Sequence, residues 1–423
     1  MKSKKDWAVA VALGVAGALT LSGCVGDIQP TGDTSGTGEP ATTLTISRFA
    51  GPWADALTEV VKGFTEETGI QVRVDAIDYA QLQQKQTLNM GEKTGEYDVV
   101  YVPENWYSQY IAAGYLEALD DNLSDPAITG QYVPTAMDIL KGADGLVYGL
   151  PDSVQTDLMC YNTDAFAEAG LEIPATWDEM LPVAKHFKDA GTGIAMPARQ
   201  GTAAADVLIT LAQGNGGSVL KPDGSLNLTS PEVVEAATFN QELVKYSVDG
   251  STSWHFDESV KALQFGEAPL GVCLSGLASA LEDAAQSKVV GKLAYRPMPY
   301  KKAVGGYLLT WNYSVAADSK HKAEAVKLVE WLSGQAAQRA MLEAYPGPVS
   351  LRNDLFEDAS LGEKYPWIPA IKETLSNSTP PPLSTGSAKF MDAVGAAMNG
   401  VFVNGTDPKT ALAEAEKQLE GDF

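Results

Sequence analysis

Residues 148–180, YGLPDSVQTDLMCYNTDAFAEAGLEIPATWDEM, hold the densest succession of folding signals in this chain. They contain a Gly-Leu-Pro turn, a strand pattern at 158–161, a polar turn and a short apolar helix pattern that ends at Gly170. A second helix follows Thr176, whose side chain can cap it while Glu179 reaches back to free backbone donors. A strand that leaves one folded unit and directly precedes a new helix predicts a crossover between two lobes.

Length and charge restrict the classes of protein that fit. The chain has 423 residues, too many for one ordinary core, so two domains are expected. Its 45% hydrophobic and 20% charged residues are typical of a soluble globular protein. The formal net charge is −24, which argues against nucleic acid as a partner because phosphates would repel it. We interpret the charge as favouring solubility outside the cell.

The N-terminus has the parts of a bacterial secretory signal. Three lysines within the first five residues precede a mostly apolar run at 7–21. The Leu-Ser-Gly-Cys that follows resembles a lipobox, which predicts a lipoprotein signal peptide at 1–23 and a diacylated Cys24. An ordinary signal peptide with a chance cysteine is the alternative.

Residues 24–43 are rich in Gly, Thr, Pro and Ser and predict a flexible tether. Two acyl chains on Cys24 would anchor the protein stably, whereas one chain is marginal. No other apolar run approaches the roughly 20 residues that a membrane helix needs. The expected location is the extracellular face of a bacterial membrane, contacted only through the lipid anchor.

Strand and helix patterns alternate on both sides of the central stretch. Before it, strands and helices alternate up to a buried strand at 97–102, which predicts a parallel sheet with crossover helices. After Thr176 the alternation resumes with a short strand at 193–196. A further strand at 308–316 is followed by a long helix predicted at 319–344.

The sequence lacks the catalytic motifs of common enzyme classes. Its three histidines, His186, His255 and His321, fall in no metal-binding spacing. It has no Gly-x-Ser-x-Gly elbow, phosphate loop or dinucleotide fingerprint. We therefore predict no enzyme activity, metal or cofactor. Paired carboxylates of a carbohydrate-active enzyme depend on distance in space, so that class stays open as an alternative.

Cys160 and Cys273 both fall in strand patterns just before a turn. Outside the cell a disulfide between them is permitted. Two buried thiols on neighbouring strands are equally expected, because cysteine is readily buried. Both interpretations stay open.

Aromatic and polar residues collect where the predicted strands end. Ligands of open α/β sheets bind beyond the carboxyl ends of strands, where aromatic faces could stack on sugars and charged groups could fix hydroxyls. This predicts a polyhydroxylated, neutral ligand, although core packing is the alternative role of each single aromatic residue. The candidate ligand-binding residues are Trp53, Tyr79, Glu104, Trp106, Tyr107, Asp152, Arg199, Trp254, Ser275, Gly276, Tyr307 and Trp311.

Four short motifs follow one another along nearly the whole chain, at 64–72, 148–179, 265–276 and 305–320. They read FTEETGIQV, then YGLP with YN and TWDE, then FG with VCLSG, and finally GG with SK. Each motif is weak alone, but their order and spacing resemble the extracellular solute-binding proteins, family 1, of carbohydrate ABC importers.

Within that resemblance, DYAQLQQK at 78–85 and Trp106 look closest to the branch that binds sugar alcohols and sugars. Cys273 stands where the family usually has Met. Leu277 and Ala278 replace a Trp that often follows Gly276 in the family. These departures concern the identity of the ligand more than the class of protein.

The resemblance implies an α/β fold of two discontinuous lobes joined by hinge strands, periplasmic-binding-protein type II-like. We expect lobe 1 to comprise 44–157 plus 305–350, and lobe 2 to comprise 158–304 plus 351–423. A monomer without cofactor would capture a sugar, oligosaccharide or sugar alcohol between the lobes by hinge closure. It would then deliver the ligand to the transmembrane subunits of an ABC permease. A binder of polyamines or other cationic solutes is the second hypothesis.

Overall fold

Eight strands form two sheets in the computed structural model, which describes residues 42–347, 349–379 and 382–423. The predicted signal peptide and Cys24 lie outside these residues. The strands are β1 (Thr43–Phe49), β2 (Gln71–Ile77), β3 (Val99–Pro103), β4 (Leu150–Gln155), β5 (Asp157–Asn162), β6 (Leu270–Leu274), β7 (Leu293–Pro297) and β8 (Leu309–Val315).

The described part of the chain also contains seventeen α-helices, which pack around the two sheets. They are α1 (Pro52–Thr68), α2 (Tyr79–Glu92), α3 (Glu104–Ala112), α4 (Pro134–Ile139), α5 (Thr163–Ala169), α6 (Trp177–Asp189), α7 (Thr202–Gly214), α8 (Pro231–Val244), α9 (Phe256–Gln264), α10 (Ala278–Leu281), α11 (Lys322–Leu332), α12 (Gln335–Ala344), α13 (Asn353–Phe356), α14 (Ala359–Lys364), α15 (Ile368–Leu375), α16 (Ser387–Asn404) and α17 (Pro408–Gln418).

The larger sheet has the strand order β2-β1-β3-β8-β4. β1 pairs in parallel with β2 and with β3, which confirms the parallel arrangement predicted for the first three strands. β8 runs antiparallel to both β3 and β4. The carboxyl ends of β1 and β3 therefore open toward one edge of the sheet, where α1 and α3 begin.

The smaller sheet has the order β6-β5-β7, and both pairings are antiparallel. The strand predicted at 193–196 is wrong, because only Ile194 and Ala195 form isolated parallel bridges there. Gly193 has a left-handed φ of 98° before this segment, and Pro197, which lacks a backbone N–H, follows it. These two residues limit the pairing to a short bridge.

Local capping signals in the sequence are confirmed. Thr176 and Glu179 form the predicted capping box at the start of α6, with the Thr176 N–H donating to Glu179 Oε2 at 3.0 Å. α1 ends at Gly69, which takes the left-handed conformation. Asp407 caps α17 by accepting from the Thr410 N–H at 3.0 Å.

The single long helix predicted at 319–344 is wrong, because the chain forms two helices, α11 and α12, with a break at Ser333 and Gly334. Gly334 is extended (φ −72°, ψ 155°) and caps α12. The Ser333 carbonyl accepts hydrogen bonds from the Tyr132 hydroxyl and the Arg352 guanidinium instead of continuing a helix. A tertiary contact thus overrides the local helical pattern.

The chain passes from the larger to the smaller sheet at Thr156, between β4 and β5. The Thr156 N–H donates to Ser275 Oγ at 3.0 Å, and the Ser275 N–H donates to the Thr156 carbonyl at 2.9 Å. The chain returns between β7 and β8. The exact lobe boundaries given above stay a prediction.

Cys160 on β5 and Cys273 on β6 are disulfide-bonded in the structure, with their Cα atoms 6.0 Å apart. β5 and β6 are hydrogen-bonded neighbours in the smaller sheet, so the bond joins adjacent strands. Of the two interpretations that the sequence left open, the structure has the disulfide.

Two hydrophobic clusters form the core. One surrounds the larger sheet and extends to the α13–α15 region. The other is built on the smaller sheet, α7, α8 and α16, and contains Trp177 stacked on Phe239 at 4.3 Å. Among residues 42–347, 349–379 and 382–423, no helix has both the length and the apolar character needed to cross a membrane.

The contact between α16 and the start of α7 gives a testable prediction about the core. A methyl group at Gly395 would collide with the backbone of Gly201, lying 2.7 Å from its carbonyl carbon. Backbone atoms cannot move aside cheaply, so Gly395→Ala should lower the free energy of unfolding by about 1–3 kcal/mol. Denaturant unfolding followed by circular dichroism measures this change.

Gly400→Ala on the same helix is the matched control. Its methyl group would meet only Thr406 Oγ1, at 4.0 Å. Alanine favours the helix over glycine, so this variant should gain up to about 1 kcal/mol. Equal stabilisation by both substitutions would contradict the close packing at Gly395.

Candidate functional site

A cavity of about 300 Å³ lies where the two sheets meet at the crossover. Its lining comes from the ends of β1, β3 and β4, the starts of α1, α2 and α7, and the segments before α9 and β8. Five of the predicted ligand-binding residues line it, namely Trp53, Tyr79, Glu104, Tyr307 and Trp311.

Aromatic rings form one wall of the cavity. Trp311 stacks on Tyr101 with ring centres 4.9 Å apart, and Phe49 approaches it at 4.8 Å. Tyr79 and Trp53 extend this wall, at 6.1 Å from Trp311 and 5.1 Å from Phe49 respectively. We call Phe49, Trp53, Tyr79 and Trp311 the aromatic wall. It offers flat apolar faces of the kind that stack on the carbon skeleton of sugars.

Glu104 lies at the base of the aromatic wall. It is the first residue of α3 and follows β3 directly, so the end of the strand sets its position. Its carboxylate accepts from the Tyr307 hydroxyl and from the Thr310 N–H, both at 2.8 Å. Burial raises the pKa of Glu104 to about 7, while these two hydrogen bonds oppose the shift.

Asp206 lies in the second turn of α7 and lines the cavity. Its side chain is 2% exposed, and its carboxylate makes no hydrogen bond within the described part of the chain. Burial raises its pKa well above the usual range, and the negative charges of Asp157 and Glu104 add to that shift. Asp206 therefore lies near two further acidic groups, Glu104 and Asp157.

Asp157 connects this acidic group to the crossover. Its carboxylate accepts from the Thr210 hydroxyl at 2.8 Å, and Thr210 Oγ1 accepts from the Tyr307 N–H at 3.0 Å. Burial raises the pKa of Asp157 to about 7, which its hydrogen bond with Thr210 partly offsets. These bonds tie α7 to β5 and to the segment that returns to the larger sheet.

Positive charge is scarce around the cavity. His255 lines it, and burial lowers the pKa of its imidazole, with the charge of Arg199 adding to the effect. His255 Nε2 lies 3.1 Å from Thr202 Oγ1. Within the described residues, no Lys or Arg lines the cavity. An anionic ligand would find no counter-charge there, so neutral or cationic ligands fit best.

Three of the other predicted ligand-binding residues are buried beside or behind the aromatic wall. Trp106 is 6% exposed and stacks on Tyr79 at 6.4 Å, so it supports the wall without lining the cavity. The Tyr107 hydroxyl is hydrogen-bonded to Ser314 Oγ. Asp152 accepts from the hydroxyl of Tyr101 and from Gln338 Nε2. The side-chain oxygens of Tyr107 and Asp152 are therefore hydrogen-bonded to the protein itself.

The remaining four candidates also lie outside the cavity lining. Arg199 is exposed, and its N–H donates to the carbonyl of the half-buried Trp254 at 2.9 Å. Ser275 holds the crossover, as described above. Gly276 is buried against the side chain of Gln155, which leaves no space for a larger residue. The structure thus places these four residues outside the cavity lining, and their contact with a ligand stays a prediction.

Sequence reasoning missed several lining residues, among them Phe49, Asn105, Gln155, Asp206, His255 and Leu277. One signal could have found Asp206. It is the only charged residue in TAAADVLITLAQG, the otherwise apolar sequence of α7. A charged residue on a buried helix usually needs a partner or a function.

The fold has a cavity between its two sheets. Such a cavity is typical of the class of proteins that bind a small solute. Residues 50–339 match the family described as bacterial extracellular solute-binding protein. The chain belongs to this family. Its members are the solute-binding proteins of ABC transporters and are not enzymes.

Individual relatives agree with this assignment. A probable amino-acid ABC transporter periplasmic-binding protein of Sinorhizobium fredii is 27% identical over 325 residues, covering 75% of this chain and 74% of that protein. An erythritol/L-threitol-binding protein of Mycolicibacterium smegmatis is 23% identical over 343 residues, covering 74% and 71% respectively.

Solved structures confirm the predicted α/β binding-protein fold. An ABC transporter solute-binding protein of Agrobacterium radiobacter in complex with ribitol has a TM-score of 0.79 and 26% identity, covering 90% of this chain and 99% of that chain. Maltose-bound MalE3 of T. maritima has a TM-score of 0.80 and 20% identity, with the same coverage of each chain.

The raised pKa of Glu104 predicts a pH dependence of stability. Its carboxyl keeps the proton to about pH 7 in the folded chain, against 4.5 for the free group. The stability that it contributes is therefore full below about pH 4.5 and is lost as the pH rises to about 7. Glu104→Gln cannot titrate, so its melting temperature should fall less than that of the wild type over this range.

Thermal unfolding at several pH values measures the difference. Each unit of pKa shift corresponds to about 1.4 kcal/mol, so the effect is on the order of 3 kcal/mol. Glu267→Gln, an exposed substitution away from the cavity, is the matched control and should keep the wild-type pH dependence. The same pH dependence in Glu104→Gln as in the wild type would show that Glu104 is ionised in the folded protein.

Proposed function

We propose that the protein captures a sugar, an oligosaccharide or a sugar alcohol in this cavity, by closure of the two lobes, and delivers it to an ABC permease. The observation that carries the proposal is that the cavity lining combines the aromatic wall with buried polar atoms that lack hydrogen-bond partners in the described residues. Trp53 Nε1, Asn105 Oδ1 and Asp206 Oδ1 are buried and have no hydrogen bond within the described residues. A polyhydroxylated ligand supplies both donors and acceptors for such atoms.

The size of the cavity favours a small member of this class. A volume of about 300 Å³ lies at the lower end of the range of ligand pockets. A single sugar ring or a short polyol chain suits this space better than a long oligosaccharide. The relatives named as binding ribitol and erythritol or L-threitol support a ligand of that size.

Closure follows from the position of the cavity. The aromatic wall is attached to the larger sheet, whereas Asp206 and His255 belong to helices that pack with the smaller sheet. A ligand that contacts both parts stabilises the closed form relative to the open form. Affinity near about 1 μM, or roughly −8 kcal/mol, would balance capture against release.

A thermal-shift screen tests the proposal. Monosaccharides, oligosaccharides, sugar alcohols and polyamines are added in turn to the purified chain. The true ligand at about a hundred times its Kd should stabilise the protein by roughly 2.7 kcal/mol. No stabilisation by any sugar or sugar alcohol, with a clear shift by a polyamine, would overturn the proposed ligand class.

Tyr79→Ala should then weaken binding of the identified ligand by about 1 kcal/mol, or roughly fivefold, through lost stacking. Tyr79 is 56% exposed, so its removal leaves the core intact. Phe265→Ala, which removes an aromatic side chain that is 46% exposed and does not line the cavity, is the matched control. Calorimetry measures both variants, and unchanged affinity in Tyr79→Ala would remove Tyr79 from the binding surface.

We also propose that lipidation of Cys24 anchors the protein at the outer face of the membrane. The support is the sequence of residues 1–24, since this segment lies outside the described residues. In cells, Cys24→Ser should shift the protein from the membrane fraction to the soluble fraction. Detergent phase separation measures the distribution, and an unchanged membrane fraction would contradict lipid anchoring.

A further inference from the structure

Asp206 combines three properties that a structural residue rarely shares. It is 2% exposed, it lines the ligand cavity, and its carboxylate has no hydrogen bond within the described residues. An isolated buried carboxylate is unfavourable by several kcal/mol unless a partner or a proton compensates its charge. The polypeptide supplies no such partner in the described part of the chain.

The groups that face Asp206 increase the shortage of positive charge. Glu104 faces it from α3 and Asp157 from β5, and both are acidic. The hydroxyl of Tyr307 lies close enough for the charge of Asp206 to raise the pKa of Tyr307. Among the described residues that line the cavity, only His255 could become positive, and burial lowers its pKa. The exposed Asp257 adds another acid at the rim.

A metal ion is not the missing cation. Within the described residues, no group of three or more His, Cys, Asp or Glu side chains is arranged to hold one. Among other cations, an organic ammonium group suits the site, because it donates hydrogen bonds to carboxylates and charge-assisted bonds are the strongest of these.

We propose that the ligand carries a protonated amino group, as in an amino sugar or an amino sugar alcohol, and that Asp206 and Glu104 receive this group. The inference rests on the proposed function, because the carbon skeleton would stack on the aromatic wall. Asp206 then determines specificity for the ammonium group, and the wall selects the polyhydroxylated skeleton.

In the absence of a ligand, protons on the carboxyl groups neutralise the charge that the ammonium group would otherwise compensate. Burial raises the pKa of Glu104 and of Asp157 to about 7 and raises the pKa of Asp206 well above its usual range. An ammonium group favours their ionised forms, so binding should release protons. Because the pKa of Glu104 is raised to about 7, the affinity for an amino ligand should rise as the pH increases toward about 7, and that for a neutral analogue should change less.

Matched pairs of probes test the inference by calorimetry. The pairs are glucosamine with glucose, and 1-amino-1-deoxysorbitol with sorbitol, each measured at two pH values. At the higher pH the amino member of at least one pair should bind about tenfold more tightly, as expected for a charge-assisted hydrogen bond. Measurements in two buffers of different ionisation enthalpy should show proton release for the amino member.

Asp206→Asn keeps the size of the side chain and removes its charge, so it should abolish the preference for the amino member. Asp178→Asn, an exposed substitution on α6 away from the cavity, is the control and should keep the preference. Circular dichroism confirms that each variant is folded. If a variant does not fold, the comparison of amino and neutral probes in the wild type still tests the inference.

The outcomes separate this inference from the proposed function. Equal or tighter binding of the neutral members by the wild type, without proton release, would overturn the inference and leave the proposed function standing. Stabilisation by a polyamine alone in the thermal-shift screen would overturn the polyhydroxylated skeleton and with it the proposed ligand class. No binding of any of the four probes at millimolar concentration would overturn the inference.

Discussion

The paired hydrogen bonds between Thr156 and Ser275 are the constraint on which the arrangement of the molecule depends. β4 ends at Gln155 and β5 begins at Asp157, so Thr156 alone connects the two sheets at this point. Its N–H and its carbonyl are both bound by Ser275. Gln155, on one side, lines the cavity, and Asp157, on the other, joins the acidic group. The crossover therefore adjoins the cavity.

The cavity divides its chemistry between the two halves of the fold. Flat apolar surface comes from the larger sheet, where Trp311 and Phe49 are fixed by their strands. Acidic groups come from the starts of α3 and α7, whose positions follow from the strand end and from the packing of α7 in the second core cluster. In the proposed function a ligand contacts both halves at once, so selection for its skeleton and for its polar groups would be coupled to closure.

Much of the fold was predictable from local signals, whereas the site was predictable only in part. The capping box at Thr176, the glycine stop at Gly69 and the first parallel strands depend on neighbouring residues, and each was found. The break at Ser333 depends on Tyr132, which is 201 residues away, so no local pattern contains it. The sequence placed Trp53 after the first strand and Tyr107 after the third, and the structure has both residues there. Which aromatic residues line the cavity depends on packing between elements. The sequence therefore could not show that Trp311 lines the cavity and that Tyr107 does not.

A comparison among buried acids shows why Asp206 is informative. Asp98 accepts hydrogen bonds from the Thr45 N–H and the Ser319 hydroxyl, and it is 4% exposed. Asp152 accepts from Tyr101 and Gln338, and the buried guanidinium of Arg48 lies 4.0 Å away. The fold thus compensates both of these acids with hydrogen bonds. It leaves Asp206 uncompensated inside the cavity, where a ligand can reach it. Because folded proteins are stable by only about 5–15 kcal/mol, an unfavourable group of this kind is best explained by a partner that arrives from outside.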